Sequence, residues 1–315
     1  MKMKNFLFAV ALLATTISAT AQTEKGLNSF KNAAPATLEL TAQKVATESQ
    51  VIETVDKGNI NWTTQTISAE GEAIIDLERY PNPAQAKLMA RRGAVVVAQR
   101  NLLEIIQGVE VVGETTVEDF STKSDIVISR VKGVVRGATQ VGKPIEDNGT
   151  IKVTLQIPMY GQKGIANAVK DEAIKAVAKQ YGKAEATNPF ANPSKEESNK
   201  PSASNESIPE KIAFNLQGQT FNPSMFPVVL DDKGNVQFDF SKYYQQTGKM
   251  PQIVKESKAL MQMLGVKKGV EILDVVEAGK GVIKLTGDSQ AKVSKWAKFG
   301  QGAWKVGKAL LSIIL

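Results

Sequence analysis

Several groups of residues have types and spacings that chemistry can use. Serine stands beside lysine at Ser257-Lys258 and again at Ser294-Lys295. An amine-activated serine needs its base within hydrogen-bond reach and a site for the oxyanion. Adjacent residues on a helix point in different directions, so neither pair is expected to act. Glu70, Glu72, Asp76 and Glu78 crowd carboxylates into one stretch that could supply an acid and a base. Nothing in their spacing sets two of them around one pocket, and a solvated strand or loop is expected. Asp231-Asp232-Lys233-Gly234-Asn235 offers oxygens to a cation. A calcium loop needs ligands at alternate positions and a distant glutamate, so a hairpin turn fits this run better. Gly133, Gly137, Gly161 and Gly164 match no phosphate-binding loop.

The chain of 315 residues has no cysteine and no histidine. This removes disulfides, thiolate nucleophiles, thiolate metal sites and histidine as base or ligand. Carboxylates, lysine, tyrosine and hydroxyls remain. The sequence supplies no catalytic residue, no cofactor site and no metal ligand set, and an enzyme is not expected. A hydrolase built on carboxylates alone is chemically feasible, but no spacing favours it.

The elements that must position these groups follow from composition and pattern. Hydrophobic content of 42% is enough for packed cores, and the length suggests about two domains. Residues 1–21 read as a signal peptide: Lys2 and Lys4 begin it, Phe6 to Leu13 form a short apolar core, and Ala19-Thr20-Ala21 fits cleavage after Ala21. Export to the periplasm or the outer-membrane periphery is the expectation. The formal charge is +7; removing Lys2 and Lys4 leaves 37 basic against 32 acidic residues, or +5. With no arginine-rich stripe, nucleic acid is not an expected partner.

The central element is a helix from Asn82 to Gly108. Asn82 caps it, Pro83 suits its first position, and Gly108 is placed to end it in the left-handed conformation. Leu88, Met89, Val95, Val96, Leu102, Leu103, Ile105 and Ile106 predict burial on more than one side. Residues 22–58 read as a flexible arm and 59–181 as a small α+β domain. That domain has strands at Trp62 to Ile75 and Val109 to Phe120 and helices at Asp125 to Gly137 and Gly164 to Tyr181. A hairpin is predicted around Asp147-Asn148-Gly149, whose second strand alternates Ile151, Val153, Leu155 and Ile157 with polar residues. The polar run 182–209 reads as a linker. Residues 210–287 form a smaller α+β unit. It holds a hairpin of Phe221 to Leu230 and Val236 to Phe240, a helix from Pro251 to Leu264, and strands at Val270 to Val276 and Gly281 to Leu285. Residues 288–315 read as an amphipathic C-terminal helix, with Trp296, Phe299, Ala303, Val306, Leu310 and Ile314 on one stripe.

Ordered motifs run through the first domain: Ala90-Arg91-Arg92-Gly93-Ala94, then Gln99 to Val109, then Val134-Val135-Arg136-Gly137-Ala138, Gly149 to Leu155, and Pro158-Met159-Tyr160-Gly161. Together they resemble the LPP-twenty lipoprotein family, which includes a flagellar accessory lipoprotein, and are similar to the N-terminal domain of a flagellar assembly protein. The stretch Phe221 to Gly234 also looks like a module that follows this domain in some exported proteins. The resemblance implies an α+β domain in the bacterial envelope, often at the outer membrane, with a structural or assembly role. It supplies no catalytic residues. This chain lacks the family's lipidation cysteine.

The function expected is therefore that of a non-enzymatic envelope protein with a structural, assembly or scaffolding role. Its expected partners are other envelope proteins or further copies of itself. The tail offers peripheral membrane or partner contact through Lys295, Trp296, Phe299, Trp304, Lys305 and Lys308, with packing onto the second domain or a twin subunit as the other outcome. The alternative is a periplasmic small-ligand or glycan-binding protein, with Trp62, Tyr243 and Tyr244 available to stack on sugars.

Overall fold

The computed structural model describes residues 50–182, 211–216, 218–255, 270–293 and 310–314. The expected leader, most of the arm and linker, the two serine–lysine pairs and tail residues 294–309 lie outside them.

The chain is α+β. The first sheet is antiparallel, in the order β1-β2-β3-β7-β6. It consists of β1 (Ile52–Val55), β2 (Gly58–Asn61), β3 (Thr66–Ile74), β6 (Thr139–Asp147) and β7 (Thr150–Pro158). Its opening hairpin begins inside the segment expected to be a flexible arm. Asn148 and Gly149 turn β6 into β7 with φ of 45° and 76°, as the sequence predicts.

Helix α1 (Pro83–Gly108) crosses this sheet. The Asn82 side chain accepts hydrogen bonds from the N–H groups of Ala84 and Gln85. The helix buries Ala86, Ala90, Ala94, Ala98, Leu102, Ile105 and Ile106, while Leu88 and Val96 stand about half exposed. It is thus buried along one alanine-lined seam rather than on several sides. The reason is how closely it approaches β3: a Cβ on Gly71 would lie 2.2 Å from the Ala94 carbonyl oxygen and 2.2 Å from the Ala98 nitrogen. At that separation only small residues fit between helix and sheet. Asn101, also on the seam, donates from Nδ2 to the Glu70 carbonyl at 2.6 Å. Gly108 ends the helix without a left-handed φ; the chain turns out through the extended Val109.

The predicted strand from Val109 to Phe120 divides into β4 (Glu110–Val112), a turn at Gly113 with φ of 54°, β5 (Thr115–Thr116) and helix α2 (Val117–Ser121). Thr116 and Asp119 form a reciprocal capping box, which starts a helix where apolar residues alone suggested a strand. Helices α3 (Asp125–Arg136) and α4 (Ala166–Gln180) complete this half and follow the predicted spans closely.

The second sheet is mixed, in the order β10-β9-β13-β12-β8-β14-β11. Its strands are β8 (Lys211–Asn215), β9 (Val228–Leu230), β10 (Val236–Asp239), β11 (Gln252–Val254), β12 (Val270–Ala278), β13 (Val282–Leu285) and β14 (Leu310–Ile314). The helix expected from Pro251 begins instead as β11; its remainder lies outside the described residues. Asp239 caps helix α5 (Phe240–Thr247), so the second hairpin strand stops one residue before the predicted end. The C-terminal helix is also corrected in part. Residues 287–293 are helical, but Leu310–Ile314 pairs in parallel with β8, Leu310 opposite Lys211 and Ile314 opposite Asn215. A short apolar run rich in leucine and isoleucine suits a parallel strand covered on both faces, and periodicity alone does not separate it from a helix end.

One hydrophobic core runs through both halves. The N–H groups of Met225 and Phe226 donate to the carbonyls of Glu110 and Val111 at 2.9 Å, tying the second half to β4. Tyr160, Phe226 and Tyr244 pack their rings together, and the Tyr160 hydroxyl donates to the Met225 carbonyl at 2.8 Å.

Candidate functional site

The larger of two prominent clefts, about 780 Å³, opens where the start of β6 and the end of β7 meet α3, the loop before α4, α4 itself and α5. Its apolar floor includes Val134, Ile157 and Ala168. Arg130 on α3, Lys163 on the loop and Lys170 on α4 bring positive charge to it, and Asp171 is its acidic residue. Arg130 reaches Asp171 at 3.5 Å, whereas Lys163 and Lys170 form no ion pair among the described residues. The carboxamides of Gln156, Gln162, Asn167 and Gln245 also line the cleft. Among the described residues, no aromatic side chain does.

The second cleft, about 440 Å³, lies against β1 and β4. Glu53 and Glu110 share it with Ile60, Trp62 and Val109. Trp62 donates its indole N–H to Glu53 at 3.2 Å. Burial pushes the Glu110 carboxyl up, against the pull of Lys280; Glu53 and Glu114 push it further. Lys280 itself is bound to Glu114 at 2.6 Å. Glu110 Oε2 is buried without a hydrogen-bond partner among the described residues.

The carboxylates singled out in the sequence do not converge on either cleft. Glu70 pairs with Lys152 at 3.5 Å on the open face of the first sheet, and Glu72 accepts from Thr150 at 2.6 Å beside it. Asp76 accepts from the Arg79 N–H in a local turn. Asp231 holds its own hairpin. Its Oδ1 accepts from the N–H groups of Lys233 and Asn235, and its Oδ2 from the side chains of Asn235 and Gln237. Burial raises this carboxyl, but those bonds outweigh it and hold the group below its ordinary value. Among the described residues, no group of three or more acidic residues is placed to hold a metal ion.

The aromatics expected to stack on sugars are not available for it. Trp62 is 3% exposed, and Tyr243 and Tyr244 are each 4% exposed. Trp62 closes the core beneath β1, and the tyrosines pack α5 against Phe238, Phe226 and Tyr160. Lys295, Trp296, Phe299, Trp304, Lys305 and Lys308 lie outside the described residues. On either side of them the chain is packed. Val293 is buried, Lys292 reaches Glu271 at 2.7 Å, and Ile313 and Ile314 are buried in the second sheet. No helix among the described residues is long and apolar enough to cross a membrane.

The basic groups of the large cleft carried no mark in the sequence, because Arg130, Lys163 and Lys170 meet only through tertiary packing. Glu53 and Glu110 are equally far apart along the chain. No protein-family model matches this chain, and no curated protein matches it.

Proposed function

We propose that this chain is a non-enzymatic exported protein of the cell envelope with a structural, assembly or scaffolding role, built on a domain like that of the LPP-twenty lipoproteins. The carrying observation is where the longest of the resembling motifs sits. In the run from Ala90 to Val109, Ala90, Ala94 and Ala98 are buried on the seam, Arg91, Arg92 and Arg100 are exposed, and Gly108 and Val109, at its very end, are the residues that touch a cleft. The stretch is framework, which is what an assembly module needs.

A partner surface goes with that framework. On the sheet face opposite α1, Ile74, Val141 and Ile145 are 74%, 46% and 61% exposed. Strand β6 forms the sheet edge, but a bulge between Val141 and Ile145, with Gly142 at φ 71° and Pro144 beside it, interrupts its pairing. Such an edge resists indiscriminate strand addition, so contact would run through side chains. The test is chemical crosslinking in native cells of the full chain and of an Ile74→Asp/Ile145→Asp variant. The proposal expects discrete crosslinked protein partners, lost in the variant while its thermal stability stays close to that of the parent. Unchanged crosslinking in the variant would remove this surface from the account.

A further inference from the structure

We propose that the 780 Å³ cleft binds an acidic saccharide: a hydroxyl-rich ring compound carrying a carboxylate or phosphate group. This assignment is independent of the scaffolding role. The volume falls within the range of small-molecule sites, roughly 300–1,000 Å³. Most such sites are walled by apolar and aromatic side chains, whereas this wall has no aromatic ring among the described residues and carries four carboxamides. Flat hydrophobic ligands therefore find no stacking surface. Each carboxamide presents both a donor and an acceptor, which matches hydroxyl groups that also do both.

Charge completes the assignment. Lys163 and Lys170 enter the cleft from the loop and from α4 without a carboxylate partner among the described residues. Arg130 spends part of its fork on Asp171 and keeps other donors. Three cations against one acid favour an anionic group, bound by charge-assisted hydrogen bonds. Val134 and Pro158, the apolar lining residues left open to solvent, suit the C–H face of a sugar ring. The clustering arises from the fold, since α3 and α4 flank the β7 end from opposite sides of the sequence.

The test is isothermal titration calorimetry on the mature full chain with galacturonate, glucose 6-phosphate, glucose and inorganic phosphate at low ionic strength. At least one of the two acidic sugars is expected to bind ten times more tightly than both glucose and phosphate. The two acidic probes distinguish carboxylate from phosphate as the preferred group. A Lys163→Gln/Lys170→Gln variant should lose at least tenfold in affinity. Lys175→Gln, which removes an ammonium bound instead to Glu172, should leave it unchanged. Asp171→Asn removes the acid and frees Arg130, so it should tighten binding several-fold, a gain that misfolding does not produce. No binding of either acidic sugar, equal binding of phosphate alone, or equal affinity in the double-lysine variant would overturn the assignment.

Discussion

Replacing Gly71 with alanine tests the logic of the fold at its tightest point. The new Cβ would sit 2.2 Å from the Ala94 carbonyl oxygen, 2.2 Å from the Ala98 nitrogen and 2.8 Å from the Ala98 Cα. All three atoms are main chain, so no side-chain rotation relieves the clash. Restoring ordinary contact requires α1 to withdraw by roughly 1 Å over the seam, enough to forfeit a quarter to a half of the dispersion attraction there. Overpacking a core usually costs about 1–3 kcal/mol, and a main-chain obstacle places this change at about 3 kcal/mol. For a folded unit of this size, that lowers Tm by about 6–12 °C. Urea denaturation followed by far-UV circular dichroism measures it. Gly93→Ala is the control: its Cβ would meet only the Ala73 Cβ, at 3.2 Å, and it replaces a glycine in mid-helix. Its effect should stay within about 1 kcal/mol. If Gly71→Ala loses less than about 0.5 kcal/mol, the close approach of helix to sheet does not hold the fold as argued.

Gly133→Ala should stabilise the protein by about 0.5–1 kcal/mol, because nothing lies within 4 Å of the added methyl in helix α3; thermal unfolding checks it. Asp239, raised by burial despite its bonds to Ser241 and Lys242, carries a penalty as a carboxylate that is fully present above its folded pKa. That penalty fades as pH falls toward the unfolded value of about 3.9, so the stability of the native chain relative to Asp239→Asn should rise as the solution is acidified from neutrality. Denaturant titrations of both proteins at several pH values test this, and a constant difference would refute it. Deleting residues 310–315 should disrupt the second sheet, since β14 lies between β8 and β11; hydrogen exchange should show lost protection at Leu216, whose N–H donates to the Ile314 carbonyl at 2.7 Å, and by strand alternation at Ile212 and Phe214. Protection left intact there would contradict the placement of the strand.

Local signals carried much of the fold into the sequence. Asn82-Pro83 marks the start of α1, Asn148-Gly149 marks the first-sheet hairpin, and valines at helical spacing mark α3. Failures came where tertiary pairing decides. Leu310–Ile314 is helical by periodicity but pairs in parallel with strands on both sides in the mixed second sheet, and Gln252–Val254 forms the strand beside it. Two caps were present and outweighed by apolar pattern: Thr116 with Asp119, and Asp239 before Phe240. Leu88 and Val96 were expected inside, yet the small Ala90, Ala94 and Ala98 take the inner seam because Gly71 draws the helix backbone close. The large cleft was the least legible feature. Its polar residues come from separate elements and have no spacing signature.

The packed surroundings of β14 also decide how the envelope role is measured. Cutting the tail after Gly287 would remove a strand of the second sheet together with residues 294–309, so loss of location and loss of fold would be confounded. The direct measurement is therefore fractionation of native cells expressing the intact chain, with the N-terminus of the recovered protein sequenced and its native mass determined under crosslinking. The account predicts a protein beginning at Gln22, in the periplasmic or envelope fraction, within an assembly larger than one chain. Recovery from the cytoplasm with Met1 to Ala21 retained, or from the periplasm as a single chain that crosslinks to nothing, would contradict it.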